Sequence, residues 1–224
     1  MTKDDSILIK GVAILLMLFL HLFNRLENVD ICSNLLYLGN TPMVYLLTRA
    51  TNPVAFFLIL GGYGLYVVES ENKNYGLWKK VINLFVHYWI AMLIFVAIGA
   101  FVVGMDKYPG GIVDVIENVT AFHPTWNGET WFLFPYLLLV VSSRYLFQLI
   151  DKVNVFVVLI IAFVLYRGAA WCIINDGNLF GNHTFAYMPI YYCYVLFSFL
   201  LGAVMAKYSV CDILGKYRVN GICY

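Results

Sequence analysis

Residues 81–105, VINLFVHYWIAMLIFVAIGAFVVGM, contain no Asp, Glu, Lys or Arg. As one α-helix they would extend about 37 Å, more than the roughly 30 Å hydrocarbon layer of a bilayer. In water such a helix would need cover on every side. The rest of the chain cannot supply it, because 62% of the 224 residues are hydrophobic and only 12% are charged, against roughly 25% charged in soluble domains. The expected fold class is therefore all-α, a polytopic transmembrane helix bundle embedded in a lipid bilayer.

Apolar runs long enough to cross recur near residues 7–24, 43–68, 81–105, 130–150, 153–174 and 187–207, which predicts about six spans. No soluble domain, repeat or low-complexity linker is left over. Pro53 and the Gly-Gly-Tyr-Gly stretch at 61–64 predict interruptions of the second span. Discontinuous helices can expose backbone donors to a ligand, whereas glycines can equally serve close helix packing. Phe, Tyr and Trp gather near span ends, where amphipathic rings favour the headgroup region. The N-terminal apolar run is followed by HLFNRLENVDICSN, without a small-x-small cleavage site, and reads as a retained span.

Positive residues accumulate on the cytoplasmic side of membrane proteins. With the N-terminus inside, the cytoplasmic set is Lys3, Lys10, Lys73, Lys79, Lys80, Arg144, Lys152, Lys207, Lys216 and Arg218, against Arg25, Arg49, Lys107 and Arg167 outside. The imbalance predicts a cytoplasmic N-terminus. The connection DKYPGGIVDVIENVTAFHPTWNGE then falls outside as an exposed or re-entrant segment. Asn118-Val119-Thr120 and Asn182-His183-Thr184 match the glycosylation sequon, a pattern too common by chance to carry weight. Net charge is +1, which gives no pull toward nucleic acid. Cys32, Cys172, Cys193, Cys211 and Cys223 show neither disulfide nor metal-ligand spacing.

Three stretches could carry chemistry. In IKGVAILLMLFLH, Lys10 and His21 are eleven residues apart, three helical turns and about 16 Å, so they share one face with Ala13, Ile14 and Met17 between them. Lys10 can simply snorkel to the headgroups, and His21 can be a hydrated interfacial ring. Alternatively, His21 is the side chain best suited to exchange a proton near neutral pH, with Lys10 holding an anionic donor on the cytoplasmic side. In YGLWKKVINLFVHYW, Lys79 and Lys80 are an orienting basic pair or a phosphate site; His87, two turns further on, has a lesser claim. In FHPTWNGETWFLFPYLL, His123, Trp126, Glu129, Thr130 and Trp131 precede the fourth span. The aromatic residues there are membrane-interface anchors, or Glu129 and Trp131 orient a sugar, whose apolar face packs on an indole.

Taken together, these stretches resemble the acyltransferase-3 family of multi-pass membrane O-acyltransferases. KGVAILLMLFLH resembles the family's first span, in which an Arg is followed eleven residues later by His; Lys10 stands in for the Arg and His21 matches. FFLILGGYGLY resembles its Phe-Phe and Ser-Gly element, with Gly61 where Ser is common. Lys79-Lys80 stands where a basic pair, usually with Arg, precedes the third span. TWFL at Thr130–Leu133 and FSFLLGAVMAKY match two later elements.

The resemblance implies a single integral-membrane acyltransferase-like domain over residues 1–224. It implies an O-acyltransferase, acetyl transfer foremost, using cytoplasmic acyl-CoA (acetyl-CoA) as donor substrate with no permanently bound cofactor or metal. The acceptor would be a hydroxyl of a surface glycan or lipid-linked saccharide at the bacterial inner membrane. Lys10, Lys79 and Lys80 would bind the CoA phosphates, and His21 would act as general base or acyl relay. Glu129 and Trp131 would serve the acceptor. Family members usually have more spans than are expected here, which predicts a chain incomplete at its C-terminus, with an inactive fragment as one reading. Another is a transporter or flippase-like protein with a broken second span in its substrate path.

Overall fold

The computed structural model describes residues 3–31, 34–71, 76–105, 107–175 and 187–219. Cys32, Cys223, Lys73 and the sequon at 182–184 lie outside the described residues, as do the side chains of Lys3, Lys216 and Arg218. The chain runs α1 (Lys3–Phe23), α2 (Leu26–Asp30), β1 (Tyr37–Leu38), β2 (Thr41–Pro42), α3 (Met43–Ala50), α4 (Pro53–Ser70), α5 (Leu77–Val102) and α6 (Ile112–Val119). A 3-10 turn (Gly128–Phe132) leads into α7 (Leu133–Lys152), α8 (Val155–Asn175), α9 (Tyr187–Lys207) and α10 (Val210–Val219). The all-α expectation holds, since the strands form only a two-residue antiparallel ladder, Tyr37 opposite Pro42 and Leu38 opposite Thr41. Among the described residues, six helical segments are long and apolar enough to cross a membrane, at the six expected places.

The chain divides into two compact units, Met1–Gly64 with Ser198–Tyr224, and Leu65–Phe197. In the first, α1 packs on α2 and α3. The buried Thr48 hydroxyl lies within hydrogen-bond reach of the carbonyls of Val44 and Tyr45 on its own helix and of Phe23 at the end of α1. A hydroxyl on an apolar helix is thereby satisfied and ties two segments together.

The second span breaks where Pro53 predicts, between Ala50 and Pro53, with proline in the first helical position it tolerates. The Asn52 side-chain oxygen accepts from the Ala55 N–H, covering one orphan donor of the new helix. At 61–64 the expectation is corrected: α4 passes through Gly-Gly-Tyr-Gly without interruption. A β-carbon on Gly62 would collide with the backbone of Phe199, and one on Gly202 with the backbone of Ile59. These glycines let the α4 and α9 backbones approach closely, which offsets the roughly 1 kcal/mol helix penalty of glycine.

In the second unit, Ser142 of α7 and Tyr192 of α9 share a hydrogen bond of 2.9 Å. The Tyr166 ring on α8 stacks on Tyr194 with centroids 5.2 Å apart, and Phe163 meets Phe197 edge-on at 5.4 Å. The last turns of α4 meet the C-terminal half of α7: Tyr66 donates to Asp151 at 2.9 Å, and Arg144 pairs with Glu69 at 3.6 Å. Spans two and four thus end together, as alternating crossings require.

Candidate functional site

α1 is one unbroken helix, so Lys10 and His21 do share a face, three turns apart. Along that face Lys10 and Ile14 are exposed, while Met17 and His21 are half-buried. Ala13, beside Ile14, is fully buried. The lysine end is the open end of the stripe, and the imidazole sits against protein in the last turn of α1.

Lys79 and Lys80 lie inside the first turn of α5 rather than ahead of it, because the helix begins at Leu77, four residues before the span's expected start. Lys80, Asn83 and His87 follow at steps of three and four, the spacing of one helix face. All three line a cavity of about 330 Å³ whose other walls include Leu65, Leu84, Tyr136 and Val140. His87 Nδ1 lies 2.7 Å from the carbonyl oxygen of Asn83. Because a carbonyl can only accept, Nδ1 carries the hydrogen and Nε2 of the neutral ring is the acceptor. The cavity therefore combines a cation, a base of fixed tautomer and an apolar wall.

The connection between α5 and α7 stays against α5. It folds back along α5 as far as Tyr88 and Trp89, about 20 Å along the axis from the helix end at Val102. Tyr88 donates to the Asn118 carbonyl at 2.6 Å, and the Trp89 indole N–H to the Val119 carbonyl at 2.8 Å. Non-helical backbone at such depth must be satisfied within the protein. Asn118, fully buried, supplies part of this. Its amide nitrogen donates to the Asp114 carbonyl (2.8 Å) and Thr125 Oγ1 (2.7 Å), and its amide oxygen accepts from the Trp126 N–H (2.9 Å). A second tie follows directly, because the chain reverses at Ala121 with φ of 57°. The reversal brings His123 back to Glu117, with Nδ1 donating to the carboxylate at 3.0 Å. With its side chain engaged in this way, Asn118 is no accessible glycosylation site.

Glu129 and Trp131 lie in the 3-10 turn that follows. Asn127 caps the turn by accepting from the Glu129 N–H, and the Glu129 side chain is exposed. The half-buried Trp131 packs on Tyr191 at 4.9 Å and on Tyr194 at 6.0 Å, within a cluster formed by Tyr187, Met188, Tyr191, Phe122 and Phe134. This corner is an aromatic wall with a carboxylate at its edge. Lys10 and His21 belong to the first unit; Lys79, Lys80, Glu129 and Trp131 belong to the second.

A family model described as an acyltransferase domain matches residues 4–213. The chain belongs to the acyltransferase-3 family. Membership makes it a membrane acyltransferase, and the match takes in all six candidate spans. No curated protein and no solved structure gives a significant match to the chain. Within the acyltransferase domain, Asn83, Tyr136, Glu117 and Asn118 were not singled out by their chemistry in the sequence. Asn83 had a readable signal, since it falls on the face shared by Lys80 and His87. Glu117 had none: its partner lies six residues away across a reversal that only the folded connection creates.

Proposed function

We propose that this membrane acyltransferase moves an acyl group, acetyl foremost, from cytoplasmic acyl-CoA to a hydroxyl of a surface glycan or lipid-linked saccharide. It would do so as a multi-pass protein of the bacterial inner membrane, with its N-terminus in the cytoplasm. The observation that carries the reading is the family match together with His21 and Lys10 on one face of an unbroken α1. In this mechanism a nitrogen of His21 takes the proton of the acceptor hydroxyl as its oxygen attacks the thioester carbonyl. The carbon–sulfur bond then breaks, and the CoA thiolate leaves and recovers the proton. Lys10, Lys79 and Lys80 supply positive charge for the phosphates of the donor, as point charges without the fork of arginine. Glu129 and Trp131 offer a hydrogen-bond acceptor and an apolar face to a sugar.

The test is transfer of label from acetyl-CoA to a glycan acceptor by the purified protein, with free thiol released in equal amount. His21→Ala should lower transfer by about 100- to 10,000-fold, the usual contribution of general acid–base catalysis. Transfer at the wild-type rate by that variant would remove His21 from the chemistry. Passage of the acceptor across a vesicle membrane without thioester cleavage would favour a transporter.

A further inference from the structure

Acyl transfer at His21 leaves His87 of α5 without a role. His87 lies within the stretch 81–105, which holds no Asp, Glu, Lys or Arg. An imidazole on a membrane-spanning helix is costly against lipid and by default marks a polar site. Here it belongs to a formed surface: Lys80, Asn83 and His87 line the cavity of about 330 Å³ together with Tyr136 of α7, and Leu84 and Val140 are among its apolar walls. Lys80 and His87 are separated by about 10 Å of helix rise. Between them the helix face carries an ordered set of polar groups. Lys80 ends in an ammonium that only donates, and the Asn83 amide both donates and accepts. The Nδ1–H of His87 is committed to the Asn83 carbonyl at 2.7 Å, so the neutral ring has only an acceptor, Nε2, to offer a ligand.

A ligand that fits this face needs an anion at one end, an N–H donor about 10 Å further along, and apolar flanks. The arm of acyl-CoA between its diphosphate and its thioester has that order: a phosphate, a carbon bearing two methyl groups, then two amides. We propose that His87 is a donor-binding residue, whose Nε2 accepts an amide N–H of the pantetheine arm while the diphosphate end lies at Lys80. Asn83, between the two, offers its amide to the hydroxyl and carbonyl groups of the arm, and Leu84 and Val140 pack on its methyl groups. No covalent bond forms or breaks at His87. Its ring is already tied to the Asn83 carbonyl, which lowers the ordering cost of holding the arm. The inference rests on acyl-CoA as donor and goes beyond it by assigning His87 and the course of the arm.

Binding of CoA and of pantetheine to the purified full chain is measured by calorimetry, and transfer is measured with acetyl-CoA. His87→Leu, a side chain at home on a membrane helix, should weaken CoA and pantetheine alike by about fivefold, the loss of one neutral hydrogen bond. The KM for acetyl-CoA should rise by the same factor while kcat is retained. His87→Gln, which keeps an acceptor, should restore both quantities toward wild type. Lys80→Gln should weaken CoA and leave pantetheine, which has no phosphate, unchanged. The inference alone is overturned if the wild-type protein binds CoA but not pantetheine, or if His87→Leu leaves binding intact or lowers kcat at constant KM. It is overturned equally if His87→Gln behaves as His87→Leu does, or if Lys80→Gln weakens both ligands to the same extent. Wild-type protein that binds no CoA would instead remove the acyl-CoA reading, and this inference with it.

Discussion

His21 and His123 both sit on apolar ground, and they are held there in different ways. His21 rides on α1, half-buried, its direction set by the phase of a regular helix. His123 is 5% exposed in a stretch outside regular helix and is paired with Glu117 across a chain reversal. A polar residue on a membrane helix needs no network to fix its backbone, since the helix satisfies its own N–H and C=O groups. In the folded-back connection the backbone is not self-sufficient, and side chains such as Asn118, Tyr88 and Trp89 close its hydrogen bonds. The backbone of α1 thus makes no demand on its side chains, whereas Asn118, Glu117 and His123 of the connection are engaged in holding structure.

Substitutions can break this contrast. The largest effect should come from His21→Ala, where the 100- to 10,000-fold loss of transfer should leave the unfolding midpoint in detergent within about 1 kcal/mol of wild type. A midpoint that fell with activity would mean that His21 supports the fold. Asn118→Ala should do the reverse, destabilising by about 1–3 kcal/mol because the Trp126 N–H loses its acceptor and Thr125 Oγ1 its donor. Thermal unfolding together with proteolysis of the connection would show it, and unchanged protease resistance would refute the role of Asn118 as a hub. Trp89→Phe keeps an aromatic ring but removes the indole N–H and its bond to Val119, and should cost about 1 kcal/mol by the same measurement. At the exposed end of the scale, Arg144→Ala breaks only a 3.6 Å surface pair with Glu69, for an expected change below about 1 kcal/mol. A larger loss would show that the meeting of α4 and α7 depends on that pair.

The same contrast explains what could be read from the chain before folding. All six crossing segments appear where the apolar runs place them, because span length is a local property of about 20 residues. The shared face of Lys10 and His21 was legible for the same reason, as was the break at Pro53. The continuity of α4 through residues 61–64 was not, because it depends on a second backbone, that of Phe199 in α9, against which Gly62 packs. The connection was legible only as an exposed or re-entrant segment. Its course depends on Tyr88 and Trp89, some thirty residues earlier, and no local pattern encodes such pairings.

By itself, then, the sequence determined that the chain is helical and crosses a membrane, that Lys10 and His21 lie on one stripe, and that the motifs are those of an acyltransferase. Hydrophobic length and helical phase set these features within a few turns of chain. Only the tertiary structure decided that Lys80, Asn83 and His87 face a cavity with Tyr136. It also decided that Asn118 holds a folded-back connection against α5. Each of these needs groups distant in sequence to meet, and buried hydrogen bonds and close packing bring them together only in the folded chain.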